Sequence, residues 1–383
     1  MPGDARGELG LSARMESGVA ALDRAAWNGC AGTENPFVGY AFLSALETSL
    51  SAGVSAGWQP VPLVIEASDG TLIGALPAYA KSHSQGEYVF DHNWADAYGR
   101  AGGRYYPKLQ IAVPFTPVPG PRLLTDDDGV AAALIAGAEA LVNQSGLSSA
   151  HATFLDARDR ARFDSAGWLM RSGTQFHWAN NGYSCFDDFL GALSSRKRKA
   201  IRKERSTAQA GLDIVRLTGA AIRPEHWDAF WEFYQDTSAR KWGRPYLTRD
   251  FFSHIGATMA DQLLLILALR NGTPIAGALN FIGGDVLYGR YWGAREDVPC
   301  LHFEICYYQA IDAAIDRGLA AVEAGAQGEH KLARGYVPVT TWSAHYIADP
   351  GFRAAIADFL VRERRAVERE VEFLGEMAPF KKR

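Results

Sequence analysis

The sequence predicts an α/β (α+β) protein in which one structural plan occurs twice, and three observations carry that prediction. First, VPLVIEASDGTLIGALPAYAKS and LLLILALRNGTPIAGALNF each read as strand, tight turn, strand, with Asp69-Gly70-Thr71 and Asn271-Gly272-Thr273 as the turns. Second, Gly74-Ala75-Leu76 and Gly277-Ala278-Leu279 stand at matching places after a one-residue insertion, and each hairpin is followed by a further strand, a helix and another strand. Third, 383 residues with 48% hydrophobic content can fill two cores.

Along the chain, Asn35-Pro36 has the form of a helix start, with Phe37, Ala41, Leu43 and Leu46 on the apolar face. Residues 88–122 read as strand-like segments broken by aromatics, Gly and Pro, so EYVFDHNWADA is set against the later strand DVLYGRYWGA. Val130, Leu134, Ala138 and Leu141 mark a helix that leads to the strand HATFLD. Helices are expected from Phe186 to Ala210 and from Pro224 to Arg240, where Trp227, Phe230, Trp231 and Tyr234 form an apolar stripe suited to core packing. A helix from Phe303 to Arg317, the strand AAVEAG and an amphipathic helix from Phe352 to Phe373 complete the series. The expected domains are 1–185 and 186–383, the second carrying the basic helix 190–210 and the long C-terminal helix.

A net charge of -4 argues against a chain that is basic overall and binds nucleic acid everywhere, while leaving room for a local basic patch. Cys30, Cys185, Cys300 and Cys306 are scattered without a CxxC pair, as free thiols in a reducing compartment are. The longest strongly apolar run, Leu263 to Leu269, falls short of the ~20 residues of a membrane span. No apolar stretch of signal-peptide length opens the chain, so the expectation is a cytoplasmic protein without a membrane span.

Three segments carry chemistry. From Arg196 to Arg205 seven basic residues accompany one acidic residue, Glu204. Arg196, Arg198, Lys199 and Arg202 are candidate phosphate ligands, for the phosphates of tRNA, of a nucleotide-linked acceptor or of coenzyme A. The plainer alternative is a solvated helix face. The segment Gly325 to Gly335, directly after a strand, offers Glu329 and His330 as general bases and Lys331 and Arg334 as anion or oxyanion partners, with Gln327 and Arg334 also as substrate contacts; the plainer alternative is a polar surface loop. His302, Glu304 and Tyr307 open the preceding helix and would face the same substrate, with a core or capping role the alternative for His302 and Glu304. In extended form Cys300, His302, Glu304 and Cys306 would share a strand face and permit a metal, but helix from Phe303 onward would scatter them, so no metal site is assigned.

The block CLHFEICYYQAIDAAIDRGLAAVEAGAQGEHKLARGYVPVTTWSAHYIADP, supported by NPFVGYAFLSALE and LSSRKRKAIRKER, resembles the FemAB-like family of peptidoglycan biosynthesis and recognition. The resemblance implies two tandem GNAT-like domains in a FemABX-type arrangement. It also implies transfer of an acyl or aminoacyl group to an amine on a small-molecule or peptidyl acceptor, and a basic residue near the reacting centre after the strand that AAVEAG represents. The alternative is a non-catalytic relative that binds a peptidoglycan-like or peptidyl ligand. The expected co-substrate is acyl-CoA or aminoacyl-tRNA, with no tightly bound cofactor and with tRNA among the partners. The pyrophosphate loop of acetyl-CoA enzymes has only a weak counterpart, Arg290-Tyr291-Trp292-Gly293-Ala294-Arg295, at a strand end rather than a helix start.

Overall fold

The computed structural model describes residues 11–242, 244–325 and 328–381; the side chains of residues 240–242 and 329 are outside that description. In chain order the first half contains β1 (Ser12–Met15), α1 (Arg24–Ala31), α2 (Tyr40–Thr48), β2 (Trp58–Pro60), β3 (Leu63–Glu66), β4 (Leu72–Leu76), β5 (Ala78–Lys81), α3 (His92–Arg100), β6 (Lys108–Ile111), α4 (Asp128–Gln144), β7 (Ser149–Leu155), α5 (Ala157–Ser165) and β8 (Leu169–Ala179). The second half contains α6 (Phe186–Ala192), α7 (Ser195–Ala208), β9 (Asp213–Leu217), α8 (Pro224–Trp242), α9 (Arg249–Thr258), β10 (Leu263–Arg270), β11 (Thr273–Gly283) and β12 (Val286–Ala294). Then α10 (Leu301–Phe303) runs through a π turn (Glu304–Tyr308) into α11 (Gln309–Asp316), followed by β13 (Ala321–Glu323), a 3-10 turn (Glu329–Arg334), β14 (Val337–Ile347) and α12 (Pro350–Glu376).

The strands form one continuous eleven-stranded sheet, in the order β2-β5-β6-β7-β14-β8-β13-β12-β11-β10-β9, beside a small sheet β1-β3-β4. Two separate sheets were the expectation from the duplicated plan, and this arrangement corrects it. The order is symmetric about the pair β14–β8, apart from one additional edge strand, β9. On either side stand β7 and β13, then β6 and β12, and both β6–β7 and β12–β13 are parallel. Each half has lent its last strand to the other: β14 pairs with β7, and β8 pairs with β13. The duplication is real in the strand order, and the exchange fuses the copies.

The hairpins form where the turn residues put them. Asn271 and Gly272 both take positive φ, 51° and 78°, as a tight two-residue hairpin turn requires. In the first copy Gly70 takes φ 82° and the amide of Ala67 donates to the carbonyl of Thr71 at 2.9 Å. That hairpin is divided between the two sheets, because Pro62 and Pro77 interrupt its arms between β2 and β3 and between β4 and β5.

Two local expectations change. The helix expected at Asn35-Pro36 begins at Tyr40, since the Asn35 side chain accepts from the Phe37 amide at 3.0 Å and makes a local turn instead. Within 88–122, residues 92–100 are helical, with Trp94 buried and Tyr98 stacked on Phe352 of α12 at 4.6 Å between ring centroids. The true counterpart of β12 is therefore β6, not EYVFDHNWADA. Aromatics spaced i, i+4 suit a helix face as well as a strand, and the packing against α12 decides between them.

One core cluster joins the halves. Phe37 meets Phe281 at 5.1 Å and Phe42 meets Phe251 at 5.6 Å. Trp227, Phe230 and Tyr234 of α8 are buried in the same cluster, as the stripe predicts. Burying aromatics of this size contributes much of the association between the copies. No helix among the described residues is long and apolar enough to cross a membrane.

Candidate active site

The parallel strands β12 and β13 are in register over three pairs only, ending at Tyr288 and Glu323. Beyond that point β12 continues to Ala294 while β13 stops, and the strands part. β12 also bulges there: Asn280 faces Gly289, but Leu279 faces Tyr291, so Arg290 is the extra residue. Gly289 suits the crowded side, where an added Cβ would lie 3.3 Å from Asn280 Oδ1. Gly293 is still tighter, since a Cβ would come within 2.2 Å of the Phe233 carbonyl oxygen of α8.

The gap is a cleft of about 510 Å³. Arg290, Tyr291 and Trp292 form one wall; Ala324, Gly328, His330 and Lys331 form the other. His302 and Tyr307 close it on one side of the sheet, and Tyr88 and Tyr246 on the other. Tyr88 is also a wall of a second cleft of about 360 Å³, between β8, β14 and α12. The position matches a general tendency of α/β proteins to bind ligands at the carboxyl ends of parallel strands.

Lys331 is 2% exposed and its ammonium donates to the Gly325 carbonyl at 2.8 Å. Burial, reinforced by the Arg290 charge, lowers it to about 7. Arg290 donates to the Phe115 carbonyl at 2.8 Å. His330 Nε2 and the Tyr307 hydroxyl are 2.8 Å apart, and His302 lies against both rings, at 5.3 Å from Tyr307 and 6.0 Å from His330. Gly328, at φ 118°, leaves room for this imidazole: a Cβ there would be 2.4 Å from His330 Cε1. At the apex of the gap, burial lifts the Glu323 carboxyl to about 8 against the opposing pull of Arg290. In register across from it, burial and the Lys331 charge depress His177 to about 4.

Of the residues singled out from sequence, His302, Tyr307, His330 and Lys331 thus come together at the cleft. Gln327 lies outside the described residues, as does the side chain of Glu329. Glu304 and Arg334 do not line the cleft. Glu304 is fully buried, accepting from Arg205 at 3.1 Å, Gln209 at 2.8 Å and Gln309 at 2.7 Å. Arg334 donates to Glu204 at 2.9 and 3.0 Å and sits 3.4 Å from the Phe303 ring centroid. Both therefore bind α7 to the cleft wall. A buried carboxylate needs a cation, and α7 supplies it, which explains why Glu304 turns toward α7. On α7 itself, Arg196, Lys199 and Arg202 are exposed and Arg198 is half-buried; Arg202 reaches Asp187 at 2.9 Å. Cys300 takes φ 64° just before the helix starts at Leu301, so the Cys300–Cys306 row is not extended, and no metal-binding cluster occurs among the described residues.

Sequence reasoning missed Arg290, Glu323, His177 and Tyr88. Arg290 was weighed only as part of a phosphate loop. Glu323 sits inside the apolar-looking strand AAVEAG, where a lone charge in a buried strand was the available signal.

The FemAB-like family model, described as peptidoglycan biosynthesis/recognition, matches residues 18–382. The chain belongs to the FemAB-like family. Its structure resembles FemX, at 11% identity over 88% of this chain and 98% of FemX, with a TM-score of 0.54. It also resembles L-PGS from Bacillus licheniformis, at 11% identity over 83% of this chain and 95% of that one, with a TM-score of 0.50. A third likeness is to the C-terminal domain of a putative lysylphosphatidylglycerol synthetase from Agrobacterium fabrum, at 10% identity, 91% and 97% coverage and a TM-score of 0.52. At such identities the likeness is one of fold. Comparison with curated proteins finds no match. In this FemAB-like chain, then, family and fold are set by the whole chain, and the chemistry has to be argued from the cleft.

Proposed function

We propose that the protein is an acyltransferase that moves an acyl or aminoacyl group to an amine within the β12–β13 cleft. The observation that carries this reading is Lys331, a buried ammonium beside Arg290 where the strands part. As an amine attacks the donor's carbonyl carbon, negative charge develops on the carbonyl oxygen. A poorly solvated cation fixed beforehand stabilises that charge more than water would. The growing charge also draws Lys331 toward its protonated form, so the stabilisation is greatest in the transition state. His330, oriented by Tyr307, borders the same space and would position the donor.

The donor is acyl-CoA or aminoacyl-tRNA. The exposed cations of α7, a helix bonded to the cleft wall through Glu204–Arg334 and Arg205–Glu304, suit the phosphates of either. The acceptor is an amine on a peptidyl or lipid-linked molecule, in keeping with the family description and with the names of the structural relatives. The two tandem units are 1–185 and 186–383, and the cytoplasm, where both donors occur, is the site of reaction.

The test offers the protein acetyl-CoA or a mixed pool of radiolabelled aminoacyl-tRNAs, with a tripeptide bearing a free lysine amine as acceptor. Label should appear in the peptide, and Lys331→Ala should reduce the rate on the order of 10²-fold or more while the fold persists. Peptide binding without label transfer from any donor would make the protein a peptide-binding relative instead.

A further inference from the structure

An acceptor amine arrives as an ammonium ion and must lose a proton before its nitrogen can attack. Glu323 stands at the last paired position before β12 and β13 diverge, and its neighbours Ala324 and Arg290 both line the cleft. Its side chain is 13% exposed, and Oε2 is buried without a hydrogen-bond partner among the described residues.

Among the described residues, no hydrogen bond to this carboxylate is formed, and the side chain that faces Oε1 offers it no donor. Gln175 Nε2 donates to the Pro117 carbonyl at 2.9 Å, which fixes Gln175 Oε1 as the atom facing His177 Nε2 at 3.2 Å. His177 Nε2 must then carry the hydrogen, because two acceptors cannot share that contact. Neutral His177 therefore turns the lone pair of Nδ1, not an N–H, toward Glu323 Oε1, 3.8 Å away. Among the described residues, the other charged or titratable groups acting around the pair are Arg290 and Tyr288 of β12 and Lys331 of the 3-10 turn. A buried carboxylate with few hydrogen bonds to its charged form is a strong base for a carboxylate.

We propose that Glu323 is the group that takes the proton from the acceptor amine, and that His177 acts on it as a positioning residue by withholding a donor; this rests on the transferase reading above. One proton passes from the ammonium to the Glu323 carboxylate and on to solvent. The freed lone pair forms the C–N bond, with the oxyanion beside Lys331. The C–O or C–S bond of the donor then breaks, and the second proton shed by nitrogen ends on the departing oxygen or sulfur. Lifted to about 8 by burial, Glu323 is matched to this task near neutrality.

The experiment compares two acceptors with wild type and Glu323→Gln, using the same donors. Hydroxylamine is already unprotonated at neutral pH and needs no base; the lysine tripeptide does. Glu323→Gln should lose about 10²- to 10⁴-fold with the tripeptide, and the acid limb of its pH–rate profile, while keeping near wild-type rates with hydroxylamine. His177→Asn, which can offer an N–H, should move the acid limb to lower pH; an unmoved limb removes His177 from the assignment. Equal losses with both acceptors, or no loss with the tripeptide, would overturn the role of Glu323 and leave the transferase reading standing. No transfer by the wild type to either acceptor would overturn both.

Discussion

Lys331 and Glu323 are two buried groups of opposite type, at about 7 and about 8, the first in the wall of the gap and the second at its apex. The proposed reaction needs the lysine charged and the glutamate ionised, the reverse of what burial favours. With the lysine lost upward through about 7 and the carboxylate lost downward through about 8, kcat/KM should form a bell with its maximum between those values. A rate profile over neutral pH checks this: Glu323→Gln should abolish the acid limb, and Lys331→Met the alkaline one. A second buried cluster has a structural task. Lys108, fully buried, holds Glu87 at 2.7 Å and also Asp91, and so ties down the loop that brings Tyr88, at φ 60°, to the cleft. Lys108→Met strands two buried carboxylates and should cost about 3–5 kcal/mol in denaturant unfolding.

At the scale of elements, α7 is two-sided. Glu204 and Arg205 face the cleft wall, whereas Arg196, Lys199 and Arg202 face outward. Reversing Arg196 and Lys199 to Glu should weaken binding of tRNA or acyl-CoA and flatten its salt dependence, without changing stability, because these side chains are exposed. Affinity unchanged at low and high salt would leave α7 as a solvated face. The elements easiest to read were those with local signals: both hairpin turns, the α8 stripe and the polar segment after β13. Helix α3 was harder, because Tyr98 gains its packing from Phe352 and Trp94 from His345, both far along the chain. Glu304 and Arg334, expected at the substrate, lie behind the cleft wall, since α7 claims both through contacts across about a hundred residues that no local pattern records.

For the whole molecule the exchange of β8 and β14 dominates. A chain ending at residue 185 would have β7 without β14 and β8 without β13, and Phe37 and Phe42 without Phe281 and Phe251. The full protein should unfold in one cooperative transition by calorimetry. Residues 1–185 and 186–383 made separately should lack native circular dichroism and recover it when produced together. Independent folding of either piece would contradict this account. The sequence repeat announces two copies; it carries no mark of which neighbour each final strand chooses, because strand pairing runs through backbone groups that every sequence shares.

The same exchange sets a timetable on the ribosome. β7 is complete once residue 155 has been made, but the strand that covers its edge begins at residue 337. At ordinary elongation rates that interval is roughly 10 to 35 s. Throughout it the nascent chain presents an uncapped run of backbone donors and acceptors to every neighbouring polypeptide. Pausing of translation between these two strands should therefore lower the yield of soluble protein more than a pause of equal length after β14 has emerged.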